Sequence, residues 1–186
     1  MGQGGLTMHK YTFAVVAVAL SLGVAPVACA ADANAPAASA VGKAAADDKA
    51  QIATLEKRFA AAFNAKDVAK IMTVYARNGL FVYDVTTPRE FVGWEAYRKS
   101  WEGLFKEGFP GPIKFSISDL AITTAGNMAY SHSIQTIDAP GNAIPKLVVR
   151  VTDVYRKSSG HWQIVHEHVS VPLDLATGKG DLLSKP

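Results

Sequence analysis

The sequence predicts an α+β domain in which three N-terminal helices pack on a mainly antiparallel sheet. Before Pro112, apolar residues recur at the spacing of helical turns, whereas after it apolar and polar residues alternate as they do along strands. Turn-forming segments at 125–127, 140–142 and 158–160 then divide the second half into four strands. Consecutive strands joined by short connections pair antiparallel, and helices followed by such strands lie on one face of the sheet.

Each helix is predicted from a residue that starts it and an apolar stripe. We expect Asp47 or Asp48 to cap the first helix and Asp67 to cap the second, because aspartate accepts hydrogen bonds from the free backbone N–H groups of the first turn. Gly93 precedes the third helix. The three stripes consist of Ile52, Leu55, Phe59 and Phe63, then Val68, Ile71, Met72 and Tyr75, then Trp94, Tyr97, Trp101, Leu104 and Phe105.

Five strands complete the predicted domain. One short strand covers residues 80–84, and the other four cover about 113–123, 127–137, 145–156 and 161–171. For the last hairpin we predict a three-residue loop over 158–160, which sets Lys157 opposite His161 and Arg150 opposite His168. In that register Arg150 and His168 lie on the same face of the sheet.

The N-terminus has the pattern of a secretion signal. An uncharged apolar run at 13–22 follows Lys10 and is shorter than the stretch of about 20 residues that spans a membrane. Residues 28–30, Ala-Cys-Ala, form a small-x-small cleavage motif. We therefore expect a signal peptide at 1–30 and a periplasmic or secreted mature protein, without membrane association once the signal is removed. A lipid on Cys29 is the alternative.

Cleavage after Ala30 is the first testable prediction. N-terminal sequencing of protein recovered from the periplasm or the medium should start near Ala31. An intact N-terminus, or a lipidated Cys29, would contradict it.

The rest of the chain divides into a flexible, alanine-rich linker at 31–46, a domain at 47–175 and a polar tail at 176–186. Removing the signal changes the formal net charge from +3 to +2. Such a small charge, without a lysine and arginine cluster, excludes an electrostatic nucleic-acid surface. The mature chain has no cysteine, and no motif in it implies a cofactor.

Three segments carry a resemblance to a known family. They are residues 88–93 (PREFVG), residues 129–133 (AYSHS) and the final hairpin at 150–172. With the predicted order of helices and strands, they resemble the SnoaL-like and ketosteroid isomerase homologue group of the nuclear transport factor 2-like superfamily. The resemblance implies a cone-shaped fold, in which a strongly bent sheet wraps around the helices and leaves a pocket at its open end. It also implies a homodimer, as in many members.

The same resemblance implies a candidate catalytic residue. Ketosteroid isomerases use an aspartate base, which aligns with Asp84, and two further acids that stabilise the enolate oxygen. Those two positions hold Phe59 and Arg150, so steroid isomerisation by that mechanism is not expected. Asp84 is thus either a pocket carboxylate or the cap of the turn that follows it. Trp101 either lines the pocket or belongs to the core.

Two histidines add further candidates. His166 and His168 are two residues apart, so in a regular strand their side chains point to the same face. We predict that they line the pocket with His132 and Arg150, and that His168 is a second catalytic candidate beside Asp84. A zinc site completed by His132 or Asp84 is the alternative, and the positive charge of Arg150 opposes it. We therefore expect no metal.

Three functions remain open on the sequence alone. The first is a domain that binds a small, partly apolar molecule, either neutral or anionic. The second is a cofactor-independent acid–base enzyme of the isomerase, cyclase or dehydratase type, using Asp84 or a histidine. The third is a dimeric interaction module. For a homodimer we predict contacts through an apolar sheet face consisting of Leu147, Val149, Val151, Val165, Val169 and Val171.

Overall fold

The computed structural model describes residues 35–183. Its helices are α1 (Ala35–Asn64), α2 (Val68–Ile71) and α3 (Trp94–Gly103), and α3 continues as a π-helical turn over Leu104–Gly108. Between α2 and α3 lie β1 (Phe81–Tyr83) and β2 (Glu90–Val92). The second half contains β3 (Lys114–Ala125), β4 (Met128–Asp138), β5 (Lys146–Ser158), β6 (His161–Ser170), β7 (Leu173–Asp174) and β8 (Lys179–Gly180). Within this part of the chain, no helix has the length and hydropathy needed to cross a membrane.

Six strands form one sheet in the order β2-β1-β6-β5-β4-β3. Every neighbouring pair is antiparallel except β1 and β6, which run parallel. Helix α1 lies against β3 and β6, and the buried apolar side chains of the helices and of one sheet face form a single core. The predicted α+β class, with helices packed on a mainly antiparallel sheet, is confirmed.

Helix α1 begins earlier than predicted. It starts at Ala35, so residues 35–46, predicted as a flexible linker, are helical, and Asp47 and Asp48 lie inside the helix rather than at its start. Seven of these twelve residues are alanine, which has the highest helix propensity. The predicted signal peptide and the first linker residues lie outside the described residues.

The second helix has the predicted cap but is short. The Asp67 carboxylate accepts a hydrogen bond from the backbone N–H of Lys70 at 3.0 Å and forms an ion pair with the Lys70 ammonium at 2.9 Å. The helix ends at Ile71. Tyr75, predicted to lie on this helix, instead follows it in an extended segment that forms a bridge with Ile164 of β6.

The register of the last hairpin differs from the prediction. Its loop has two residues, Ser159 and Gly160, whose φ angles of 49° and 79° are those of a turn that suits the twist of paired strands. Lys157 therefore lies opposite Trp162 rather than His161, and the predicted pairing of Arg150 with His168 is wrong.

A β-bulge in β6 then inverts its side-chain alternation. Tyr155 pairs with Ile164 but Val154 pairs with His166, so Val165 is the extra residue. Before the bulge even-numbered residues of β6 face the core, whereas after it odd-numbered ones do. Glu167 is therefore buried, and the histidines on either side of it point to the opposite, outer face.

Four of the six residues of the apolar face predicted for dimer contacts lie on the inner face of the sheet. Leu147, Val149 and Val151 are all buried under the helices, and Val169 lines an interior cavity. These residues already contribute their apolar surface to the core of one chain. The prediction of a dimer contact through them is wrong, because the strand alternation was assigned to the opposite side.

The tail is more ordered than predicted up to residue 183. Strands β7 and β8 pair antiparallel through Leu173 and Gly180. The backbone N–H of Val148 donates to the carbonyl of Leu182 at 2.8 Å, which attaches this hairpin to the edge of β5. The polar composition of residues 176–183 thus reflects exposure rather than a lack of backbone pairing.

Candidate functional site

A cavity of about 560 Å³ lies between the helices and the inner face of the sheet. Its wall includes residues of α1, of the β1–β2 connection, of α3 and of strands β3 to β6. Most of the wall is apolar or aromatic, and its aromatic members are Phe59, Phe63, Phe91, Tyr97, Trp101, Phe109 and Phe115. Such a volume and lining suit a small organic molecule of bicyclic or tricyclic size.

Asp84 lies in this wall, directly after β1. Its carboxylate accepts a hydrogen bond from the backbone N–H of Thr86 at 3.3 Å, so it also caps the following turn. Burial raises the pKa of the Asp84 carboxyl, although the hydrogen bonds from Thr86 and Val85 lower it in part. Asp84 therefore lies in the cavity wall and also caps the turn that follows it, which are the two positions that the sequence left open. Its chemical role stays a prediction.

Glu167 is a second carboxyl group in the cavity wall. It is only 4% exposed, and its two oxygens accept hydrogen bonds from the Tyr75 hydroxyl, at 2.7 Å, and from the Tyr97 hydroxyl. Burial raises the pKa of Glu167 to about 7, against the effect of the two tyrosine hydrogen bonds, which lower it. Near neutral pH this side chain can therefore both donate and accept a proton.

Further buried polar groups lie behind Glu167. Asp153, its partner across β5 and β6, is 2% exposed. The Tyr155 hydroxyl lies 2.8 Å from Glu56 Oε1 on α1, 2.8 Å from Ser131 Oγ and 3.4 Å from Asp153 Oδ2. Three carboxyl residues, Glu56, Asp153 and Glu167, are thus enclosed with few donors, and burial raises the pKa of each.

The histidines and Arg150 lie on the outer face of the sheet. His132, Arg150 and His168 are exposed there. His166 is half-buried, with Nδ1 2.9 Å from the carbonyl oxygen of Phe81. The prediction that Asp84, Arg150 and His168 share one cavity is wrong, since the shorter loop and the bulge place the last two outside. Within residues 35–183, no three His, Cys, Asp or Glu side chains form a cluster that could hold a metal ion.

Trp101 belongs to both the core and the cavity wall. It is 7% exposed and packs edge-on against Phe59 and Phe63, with ring centroids 5.8 and 5.4 Å away. Its Nε1–H is buried and has no hydrogen-bond partner among the described residues. A buried donor without a partner costs free energy, so Trp101 is held in place by packing rather than by a hydrogen bond.

Glu56, Asp153 and Glu167 are not among the site residues predicted from the sequence. On β5 the buried positions are Leu147, Val149, Val151, Asp153 and Tyr155, so a carboxylate takes one place in an apolar stripe. That pattern is a readable signal for Asp153. Glu167 has no such signal, because only the bulge turns it inward.

Comparison with known proteins agrees with the predicted fold. A family model described as SnoaL-like domain matches residues 52–174. A nuclear transport factor 2-like protein of unknown function from Pseudomonas putida is 28% identical, with a TM-score of 0.70 over 76% of this chain and 98% of that chain. No curated protein gives a significant match.

Two further solved structures share the fold at lower identity. A proposed dehydratase from Streptomyces avermitilis is 18% identical, with a TM-score of 0.60 over 69% of this chain and 98% of that chain. A proposed scytalone dehydratase from Novosphingobium aromaticivorans is 15% identical, with a TM-score of 0.59 over 68% of this chain and 85% of that chain. With the family match and the observed fold, these similarities confirm the resemblance, and the chain belongs to the SnoaL-like domain family of the nuclear transport factor 2-like superfamily.

Proposed function

We propose that the protein is a cofactor-independent acid–base enzyme of the isomerase or dehydratase type, acting on a neutral, partly apolar molecule that bears a carbonyl group. The observation that carries the proposal is that the carboxyl groups of Asp84 and Glu167 lie in the wall of one largely apolar cavity. Proton transfer between a substrate and two carboxyl groups in different environments is the chemistry that such a site supports.

The charge of the cavity favours a neutral substrate. Its wall contains three carboxyl residues, Asp84, Glu107 and Glu167, against one cationic residue, Lys99. The expectation of an anionic molecule rested on Arg150, which lies on the outer face. An anion would meet net negative charge in a cavity of low dielectric, whereas a carbonyl oxygen could accept a hydrogen bond from a protonated Glu167.

The two carboxyl groups suit different roles. Asp84 as a carboxylate would take a proton from the carbon next to the carbonyl, and the electron pair of that C–H bond would form a carbon–carbon double bond. The carbonyl oxygen would at the same time receive the proton of Glu167, giving an enol. Returning a proton to a different carbon completes an isomerisation, and expelling a β-hydroxyl group as water completes a dehydration. Two solved structures that share the fold are proposed dehydratases, and dehydration belongs to this class of reaction.

Hydrogen–deuterium exchange of a simple ketone tests the proposal. 2-Acetylnaphthalene is neutral and fits the cavity volume, and its methyl protons exchange with D₂O only through the enol or enolate. We expect the protein to accelerate loss of the methyl ¹H NMR signal above the buffer rate. Asp84→Asn should reduce the accelerated rate by about 100-fold or more, as for removal of a general base.

The controls separate the cavity from the outer face. Glu167→Gln should also slow exchange, whereas His168→Asn should leave the rate unchanged because His168 is exposed on the outer face. Exchange at the buffer rate with the wild-type protein, or full activity in Asp84→Asn, would refute the acid–base proposal and leave the ligand-binding alternative.

Charge selectivity is a separate prediction. We expect 2-acetylnaphthalene to quench the fluorescence of Trp101 and 2-naphthoate, its anionic analogue, to bind at least about 10-fold more weakly. Trp101→Phe should remove most of the quenching, since it is the only tryptophan among the residues that line this cavity. Arg150→Met should not change the ratio of the two affinities, and a preference for 2-naphthoate would refute the neutral-substrate proposal.

Export and self-association remain part of the proposal. Export rests on the signal pattern of residues 1–30. For a homodimer, the outer face of the sheet is the better candidate surface, because it exposes Tyr83, Met128 and Tyr130. Light scattering at micromolar concentration should give twice the mass of the mature chain, and a monomeric mass would contradict the dimer.

A further inference from the structure

Asp153 and Glu167 are two carboxyl residues at paired positions on neighbouring strands, both facing the interior. Their Cα positions are register partners in the β5–β6 pair, after the bulge at Val165. Only Glu167 reaches the cavity wall, and Asp153 lies behind it. The acid–base proposal uses Glu167 and leaves the buried Asp153 without a role.

The hydrogen-bond donors around Asp153 are too few for an ionised carboxylate. Its Oδ1 has no partner among the described residues, and its Oδ2 has only the Tyr155 hydroxyl, at 3.4 Å. That hydroxyl has a single hydrogen and lies closer to Glu56 Oε1, at 2.8 Å. A buried carboxylate without donors or a cation is strongly destabilised, so burial favours the neutral, protonated form of Asp153.

Among residues 35–183, the titratable groups that face this pair are all acidic or phenolic. Glu167 is faced by Tyr75 after α2, Tyr97 on α3 and Asp84 after β1. Asp153 is faced by Tyr155 on its own strand and Glu56 on α1. Within residues 35–183, no salt bridge involves Asp153, Glu167 or Glu56.

The direction of titration agrees with this geometry. Burial raises the pKa of Asp153 well above its usual range, and the negative charges of Glu167 and Glu56 raise it further. The neighbouring Glu167 carboxyl group thus favours the protonated form of Asp153. A hydrogen bond between the two carboxyl groups would require a proton on one of them, and Glu167 already accepts hydrogen bonds from two tyrosines.

We propose that Asp153 keeps a proton at neutral pH and donates it in a hydrogen bond to Glu167, so that the two side chains form a proton-sharing pair behind the cavity. Asp153 is then a positioning residue, and its catalytic part rests on the proposed function. When Glu167 gives its proton to a carbonyl oxygen, the Asp153 O–H and the two tyrosine hydroxyls stabilise the carboxylate that remains. The negative charge stays within the pair, and the proton returns to Glu167 when the enol collapses.

Carboxyl-¹³C NMR titration of the ligand-free protein tests the pair directly. The side-chain carboxyl carbons of aspartate and glutamate are labelled with ¹³C, and the variants Asp153→Asn and Glu167→Gln identify the two signals. The titration between pH 4 and 9 then gives the protonation state of Asp153 and of Glu167. We expect the Asp153 signal to be that of a protonated acid at pH 7. Asp153→Asn, which stays neutral and keeps an N–H donor, should move the Glu167 midpoint by less than about 0.5 pH unit.

The contrasting variant is Asp153→Leu, which has no donor and should raise the Glu167 midpoint by about one pH unit or more. An ionised Asp153 signal at pH 7 would overturn the proposal. A Glu167 midpoint more than about one pH unit lower in Asp153→Asn than in the wild-type protein would also overturn it, because such a fall would show that the substitution removes a negative charge. If Asp153→Leu does not fold, the wild-type and Asp153→Asn titrations still decide.

Methyl exchange of 2-acetylnaphthalene then tests the catalytic part. The pH profile of the rate should move upward with the Glu167 midpoint in Asp153→Leu and stay unchanged in Asp153→Asn. An unchanged profile in Asp153→Leu would remove Asp153 from the reaction. Absence of exchange in the wild-type protein would refute the acid–base function alone, since the NMR titrations need no substrate.

Discussion

Replacing Glu56 with glutamine should make the folding free energy less dependent on pH, by about 2–3 kcal/mol between pH 5 and pH 8. Glu56 is 2% exposed on α1, and burial raises the pKa of its carboxyl to about 7 despite the hydrogen bond from Tyr155, which lowers it. In the unfolded chain the same carboxyl has a pKa near 4.5. A raised pKa in the folded state means that folding favours the protonated form.

The direction of the effect follows from this difference. The favourable contribution of protonated Glu56 is complete below about pH 4.5 and is lost as the pH rises through about 7, when the buried group must ionise. Glutamine cannot ionise, and its amide oxygen can still accept from Tyr155. Its extra N–H groups change the stability by a constant amount, so the slope with pH is the diagnostic quantity.

Urea denaturation between pH 5 and pH 8 measures that slope. Wild-type protein should lose stability toward pH 8, and Glu56→Gln should lose about 2–3 kcal/mol less. Asp47→Asn is the matched control, because Asp47 is exposed on the same helix and should leave the slope unchanged. Parallel curves for wild-type protein and Glu56→Gln would show that Glu56 does not carry this linkage.

The fold could be predicted because its signals are local and redundant. The predicted stripe at Ile52, Leu55, Phe59 and Phe63 is the buried face of α1, and the four long strands begin and end within two residues of the predicted bounds. Each of these elements is specified by several residues with one period. An error at any single position does not change the result.

The site could be predicted only in part, because it depends on strand register. Asp84 was predicted from its alignment with the ketosteroid isomerase base, which does not use the register of the last hairpin, and it lies in the cavity wall. The predicted hairpin has a loop that is one residue too long and a last strand without a bulge. With that register, the side chains of His166, His168 and Arg150 point toward the pocket, whereas in the structure they lie on the outer face. A shift of one residue moves every side chain of a strand to the other face. The apolar stripe at Leu147, Val149 and Val151 marks the inner face of β5 and so places Arg150 outside, whereas no such pattern marks the bulge that turns His166 and His168 outward.

The burial of Phe59 gives the last prediction and the largest expected loss of stability. Phe59 occupies the position that aligns with a catalytic tyrosine in ketosteroid isomerases, but here its ring is 2% exposed and central to the core. Four aromatic rings pack around it at nearly perpendicular angles, with centroids 5.6–6.3 Å away: Phe63, Tyr75, Trp101 and Phe115. Edge-to-face pairs of this kind add to the free energy gained by burying the ring.

Phe59→Ala should therefore destabilise the protein by about 3–5 kcal/mol, measured as the change in urea unfolding free energy at pH 6. Tyr83→Ala, which removes an aromatic ring that is 42% exposed on the outer face, should cost about 1 kcal/mol or less. Because Phe59 also lines the cavity, the alanine variant enlarges the space between α1 and β3, and an apolar probe such as naphthalene should recover part of the lost stability. A loss below about 1 kcal/mol for Phe59→Ala would mean that the aromatic cluster does not hold the cavity wall in place, and the shape of the proposed site would have to come from the sheet alone.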